Sequence, residues 1–198
     1  MTGSGLRECQ TVSCTVKAGV GDTGPAGGKI IYAVASPFTV TGADSFNANY
    51  LEAALDNQAT GIAWSSKTVD GGLTGDVDVT GATGTAIGTG KANTTSIIAA
   101  HSDAFNNAAK YAAAYTGGGK SDWFLPSKDE LNEMWKARTH LGISSGIFWS
   151  SSQDYSFAWL QPFATSEGLY STGLQYIDLK RINYNFNTSY NVRAVRAF

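Results

Sequence analysis

Histidine and cysteine are scarce in this chain, with two of each among 198 residues, and the scarcity removes whole classes of chemistry. His101 and His140 form no ligand-spaced pair, so a zinc site is not expected. A Ser-His-Asp relay would have to use one of these two, both on or beside expected helices, and no G-x-S-x-G elbow is present. Cys9 and Cys14, with four residues between them, either close a small disulfide loop or remain free thiols. No apolar run approaches the roughly 18 residues of a membrane span. The opening "MTGSGLRECQTVSC" has neither a basic n-region nor an apolar h-region, so it is not read as a secretory signal. Charge of one sign is missing too: 14 Lys and Arg against 16 Asp and Glu leave a net charge of -2. No global field therefore favours nucleic acid or an acidic membrane, and binding should be local.

What is plentiful is Gly, Ser, Thr, Asn, Ala and aromatics, a composition that suits a loop-rich α+β chain. The length fits a lead over residues 1–20 and one domain over 21–198. "GDTGPAGG" reads as turns, and "KIIYAVA" as a first strand near Lys29 to Ala35. "YLEAAL" is a further strand or short helix, "GIAWSS" a short strand bearing Trp64, and Lys67 to Lys91 a surface loop or pair of weak strands. Alanine-rich spacing predicts one helix from Asn93 to Tyr115, ended by Gly117 to Gly119. A second helix is predicted to begin at Ser127, where "SKDE" supplies a capping box between Ser127 and Glu130, and to stop near Gly142. "GIFWSSS", "FAWLQPF", "LQYIDLKR" and "NVRAVRAF" then read as a small antiparallel meander.

Motifs for chemistry fall short. "AYTGGGKS" has Ala where a phosphate-binding loop needs its first Gly, and it follows a helix instead of a strand. "GATGTAIGTGKA" has Asn93 where a dinucleotide fingerprint needs its last Gly. Asp122, Asp154, Glu167 and Asp178 are available for acid and base work, but their spacing singles out no pair. No cofactor is expected; calcium held by "DGGLTGDVD", Asp70 to Asp78, stays an option without the twelve-residue EF-hand pattern.

Three landmarks remain: "SDWFLPSKDELNEMW" at Ser121 to Trp135, "FWSSSQ" at Phe148 to Gln153 followed by "AWLQPF", and the terminal "VRAVRAF". Together with "GDTGPAGGKIIY", "YLEAA", "IAW" and "TAIGTGKANT" upstream, they resemble the bacterial domain family found at the C-terminus of the Legionella collagen-like adhesin, over about residues 20 to 198. That family has a C-type-lectin-like fold of the formylglycine-generating-enzyme type. The same landmarks resemble variable proteins of diversity-generating retroelements, in which adenine-directed mutagenesis rewrites C-terminal codons. The resemblance implies a non-enzymatic recognition domain, displayed outside the cell or on a surface, whose target is a protein or glycan on a cell or virion. It does not carry over oxidase activity, because the formylglycine-generating enzymes use cysteines in the C-terminal part of the domain and this chain has none beyond Cys14.

Between "FWSSSQ" and "VRAVRAF" the residues are rich in Asn, Tyr, Ser and Asp, the adaptable composition of antibody paratopes. The expected binding face comprises Asp154, Tyr155, Phe157, Leu160, Tyr170, Tyr176, Asp178, Arg181, Tyr184, Asn185, Phe186, Asn187 and Tyr190. Trp123, Leu125, Trp149, Trp159, Val192, Val195 and Phe198 are expected in the core. Arg193 and Arg196 are expected to pair with carboxylates or carbonyls instead of ligand. The competing reading is a fixed adhesin for sulfated glycans; it needs a basic patch, and Lys and Arg are scarce after Arg138.

Overall fold

A computed structural model describes residues 18–65, 68–69, 72–73, 78–101, 106–155, 157–164, 174–179 and 190–198. The lead with Cys9 and Cys14 lies outside them, as do Asp70, Asp76 and Glu167.

The fold is α+β. In chain order it runs β1 (Lys29–Val40), β2 (Phe46–Ala53), β3 (Ala59–Thr60), β4 (Thr68–Val69), β5 (Gly72–Leu73), α1 (Gly90–Ala100), α2 (Ala108–Ala113), α3 (Lys128–Lys136), β6 (Ile147–Asp154), β7 (Phe157–Pro162), β8 (Tyr176–Leu179), β9 (Tyr190–Val192) and β10 (Val195–Ala197). One sheet has the order β1-β2-β10, a second β3-β9-β6-β7-β8, and β4 pairs with β5. The second sheet is mixed, not the expected antiparallel meander, because β6 and β9 run parallel. Trp64, Ile97, Leu125, Trp149 and Val192 centre one apolar core, and Ile31, Leu51, Phe124, Leu131, Phe148, Phe163 and Val195 another.

The closing "VRAVRAF" is two strands and not one. β9 belongs to the larger sheet and β10 to the smaller, with Arg193 and Ala194 at the crossing. Both arginines are structural, as expected. Arg193 donates from Nη1 to the carbonyls of Ala54 and Leu55 and from Nε to Asn57 Oδ1. Arg196 forks onto Asp122, Nε to Oδ1 and Nη2 to Oδ2 at 2.9 Å each, and donates from Nη1 to Glu52 Oε2 at 3.2 Å. Glu52 is fully buried and also accepts from the backbone N–H groups of Ala26 and Gly28. The "GDTGPAGG" turn thus supplies the amides that hold a buried carboxylate. Gly28 is required there, since a Cβ would lie 2.2 Å from the Ala53 carbonyl oxygen.

Local reading fails where polar side chains serve as buried braces. The single helix predicted from Asn93 to Tyr115 is two, because Asn107 caps α2 by accepting from the Lys110 N–H at 3.0 Å. Asn93, where the predicted helix starts, is buried inside α1 and donates to the Gly84 carbonyl at 2.6 Å. The loop before α1 is not all surface: Val79 and Ala82 are buried, and Val79 N–H donates to Gln153 Oε1. Trp64 is buried but lies outside any strand, its Nε1 donating to the Ser150 carbonyl at 2.7 Å.

The capping box forms as expected: Glu130 N–H donates to Ser127 Oγ and Ser127 N–H to Glu130 Oε2, while Gly88 N–H adds a bond to Oε1. Burial raises the Glu130 carboxyl from 4.5 to about 7, against the pull of the Ser127 and Gly88 amides. A folded-state value above the unfolded one means that this group's contribution is complete below 4.5 and is lost as pH rises through about 7. Melting scans should therefore show stability falling between pH 4.5 and about pH 7, with Glu130→Gln flattening that slope. An unchanged slope in the variant would assign it elsewhere.

Candidate functional site

β6 is the scaffold of the candidate site, and its serines serve as structure. Ser150 Oγ donates to the Trp159 carbonyl at 2.9 Å, and Ser152 Oγ to the Gly84 carbonyl at 2.6 Å. Ser151 N–H donates to the Pro126 carbonyl, and Gln153 bridges to Val79 and Asp78. All four side chains are buried, so the "SSSQ" run ties β6 to β7 and to the loops before α1 and α3 instead of presenting hydroxyls to a ligand.

At the end of β6 the character changes. Asp154 is exposed and pairs in register with Phe157, leaving residues 155 and 156 as the connection to β7. Tyr155 is 77% exposed and has φ of 48°, the only positive φ of a non-glycine among the described residues. That left-handed conformation costs an L-residue about 1–2 kcal/mol and favours Gly or Asn.

Strand alternation then divides the expected binding residues between two faces. Phe157 and Trp159 share one face of β7, joined by Ile177, the register partner of Trp159 on β8. Phe157 and Ile177 are exposed, and Trp159 is half-buried with Lys128 Nζ 3.9 Å from its ring centroid. The opposite face carries Ala158, Leu160, Tyr176 and Asp178, the last two being partners of Leu160 and Ala158 in register.

Two expected binding residues are therefore corrected. Leu160 is buried among core side chains, and Tyr190 is buried with its ring 4.6 Å from that of Trp149, edge to face. Tyr176 is half-buried against the same core. Asp178 is half-buried and accepts a hydrogen bond from the Tyr190 hydroxyl. Asp154, Tyr155 and Phe157 sit together at the exposed end of the β6–β7 pair. Tyr170, Arg181, Tyr184, Asn185, Phe186 and Asn187 lie outside the described residues.

Two expected core residues are corrected as well. Trp159 belongs to the outer face, and Phe198 is half-buried, stacked on Tyr50 at 5.2 Å. Trp159, Ile177 and Lys128 are residues of this outer face that sequence reasoning missed. Two-residue spacing from Phe157 would have found Trp159; Lys128 meets it only through the tertiary fold.

The Tyr190–Asp178 hydrogen bond has one further property. β8 and β9 are separated in the sheet by β6 and β7, so it ties together the two flanks of residues 180–189 beneath the strands between them. The buried Ala158, beside Asp178 in register, contributes no bulk there.

Of the carboxylates considered for acid and base work, Asp122 is engaged by Arg196 and Asp178 by Tyr190. Among the described residues no three His, Cys, Asp or Glu side chains gather to hold a metal. Among the described residues no helix is long and apolar enough to cross a membrane. The chain matches no family model and no curated protein.

Proposed function

We propose that this chain is a non-enzymatic recognition protein of C-type-lectin-like fold, whose C-terminal surface binds a protein or glycan on a cell or virion and is diversified by a retroelement. The surface comprises Asp154, Tyr155, Phe157, Trp159 and Ile177, and we assign to it also the Asn-rich residues 181–187, with Tyr184 and Phe186 among them. The observation that carries this reading is Tyr155: a large aromatic kept 77% exposed, at a backbone position that favours glycine, in the turn that follows a strand whose serines are all buried. An exposed aromatic held in a left-handed backbone gives a binding surface a rigid amphipathic anchor. Display on the outside of a cell or particle follows from a target of that kind.

Two measurements test it. Tyr155→Gly should leave the chain folded and raise its stability by about 1 kcal/mol in urea unfolding, because the local backbone cost disappears. A loss of stability instead would make Tyr155 part of the frame. For diversification, the locus is expected to hold a reverse-transcriptase gene beside an imperfect copy of the 3′ coding sequence, differing mainly at adenines. The mismatches should fall in codons such as those of Tyr155, Tyr184 and Asn187 and spare Trp149, Leu160 and Val192. An intact locus with neither element would sink the diversification claim.

A further inference from the structure

A surface cleft of about 350 Å³ lies away from the face just described. It is lined by Asp56, Asn57 and Gln58, from the connection between β2 and β3, and by Tyr111, Ala114 and Tyr115, on and just after α2. Its volume falls within the range of small-molecule sites, about 300–1,000 Å³. β3 and β8 are opposite edges of the five-stranded sheet, so at about 4.8 Å per strand spacing the cleft and the β8 edge stand roughly 19 Å apart.

The walls are fixed by buried partners. Arg193, itself buried, donates from Nε and Nη2 to Asn57 Oδ1 at 2.9 and 2.6 Å. Gln58 is held at both ends of its amide: Nε2 donates to the Asp56 carbonyl, and Oε1 accepts from the Ala194 N–H. Tyr115 packs edge to face on Trp123 at 4.9 Å. Gly117 leaves room for it, since a Cβ there would meet the Tyr115 hydroxyl at 2.3 Å. The "TGGGK" turn that resembles a phosphate loop thus seats a cleft wall.

Free hydrogen-bonding capacity remains on the same side. The Asp56 carboxylate, the Asn57 amino group and the hydroxyls of Tyr111 and Tyr115 make no hydrogen bond among the described residues. Together they offer acceptors, two amide donors and two groups that do either, beside two aromatic rings. Charge narrows the class of ligand. Arg193 makes no ion pair among the described residues, and burial pulls its guanidinium down to about 10, so it stays charged at neutral pH. Asp56 acts on it in the opposite direction and stands within its electrostatic reach. One buried cation and one exposed carboxylate offset each other, which favours neither an anion nor a cation in the cleft.

We infer that this cleft binds a neutral polyhydroxylated ligand the size of a hexose unit, with Asp56 and Asn57 pairing to its hydroxyls and the tyrosines packing on its apolar face. The site is independent of the C-terminal surface and does not rest on the function proposed for it.

The test is amide and side-chain NMR of the full chain, titrated with methyl α-mannoside, methyl α-glucoside, methyl β-galactoside and N-acetylglucosamine, with glucose 6-sulfate and choline as charged controls. At least one neutral sugar should shift the Asn57 side-chain amide and the Tyr111 and Tyr115 resonances. Tyr111→Ala and Asp56→Asn should each weaken that binding about tenfold or more. Asp56 is exposed, so Asp56→Asn should melt like the parent and carries the test if Tyr111→Ala unfolds. Phe157→Ala should leave the titration unchanged. Silence from every neutral sugar, shifts only with the sulfated or cationic control, or binding undiminished in Asp56→Asn would overturn the assignment.

Discussion

Replacing Arg196 by alanine is expected to destabilise the protein by about 3–5 kcal/mol, the usual cost of removing one partner from a buried ion pair. Arg196 sits between the buried carboxylate of Glu52 and the half-exposed carboxylate of Asp122, and its loss strands the former. The amides of Ala26 and Gly28 would still hold Glu52 but would not neutralise it. Lysine should rescue only in part, because it cannot make the two-pronged contact that Arg196 Nε and Nη2 make with Asp122. The Arg196 hydrogen bond lowers the Asp122 carboxyl below 3.8, against the opposing effect of burial. That contribution is present above 3.8 and is lost as pH falls through the depressed value, so the alanine variant should also lose part of the acid-side slope. Urea unfolding over a pH series measures both effects.

Trp149→Ala should cost a similar 3–5 kcal/mol, for reasons that bear on the binding surface. The indole is fully buried, donates from Nε1 to the Ile62 carbonyl at 2.7 Å and forms the wall against which Tyr190 packs. Removing it leaves a cavity, orphans a carbonyl and frees Tyr190 from the position in which its hydroxyl meets Asp178. Phenylalanine at 149 keeps a ring but not the donor, so it should cost roughly 1–3 kcal/mol. Thermal melts of the two variants separate the packing effect from the hydrogen bond. Equal losses would mean that the donor, and not the packing, carries the effect.

Short-range physics made part of this structure readable before any coordinates. The capping box at Ser127 and Glu130 spans four residues, so nothing distant could cancel it. The "KIIYAVA" run gave a strand from Lys29 onward, and both terminal arginines found carbonyl or carboxylate partners because a guanidinium buried without them is too costly. What was not readable depended on phase and partner. Leu160 and Tyr190 are as apolar-aromatic as Phe157 and Tyr155, and only the pairing of β7 with β8, and the packing of β9 on Trp149, decides which of them face water. Trp159 shows the converse: a large aromatic placed on the outer face and covered by Lys128 from α3. The break of "VRAVRAF" at Arg193 was hidden because its alternation fits either one strand or two, and the sheet each half joins is set by distant partners, β3 and β6 for the first half and β2 for the second.

If the proposed function holds, the C-terminal region divides into a frame that resists change and a surface that accepts it. The most direct measurement is a saturation substitution scan of residues 148–198, read by protease resistance of the folded chain. Polar and aromatic replacements should be tolerated at Tyr155, Phe157, Ile177 and 184–187, and should abolish resistance at Trp149, Leu160, Tyr190, Val192 and Val195. Loss of resistance at 184–187 as severe as at Val192 would contradict the division, and with it the recognition surface proposed here.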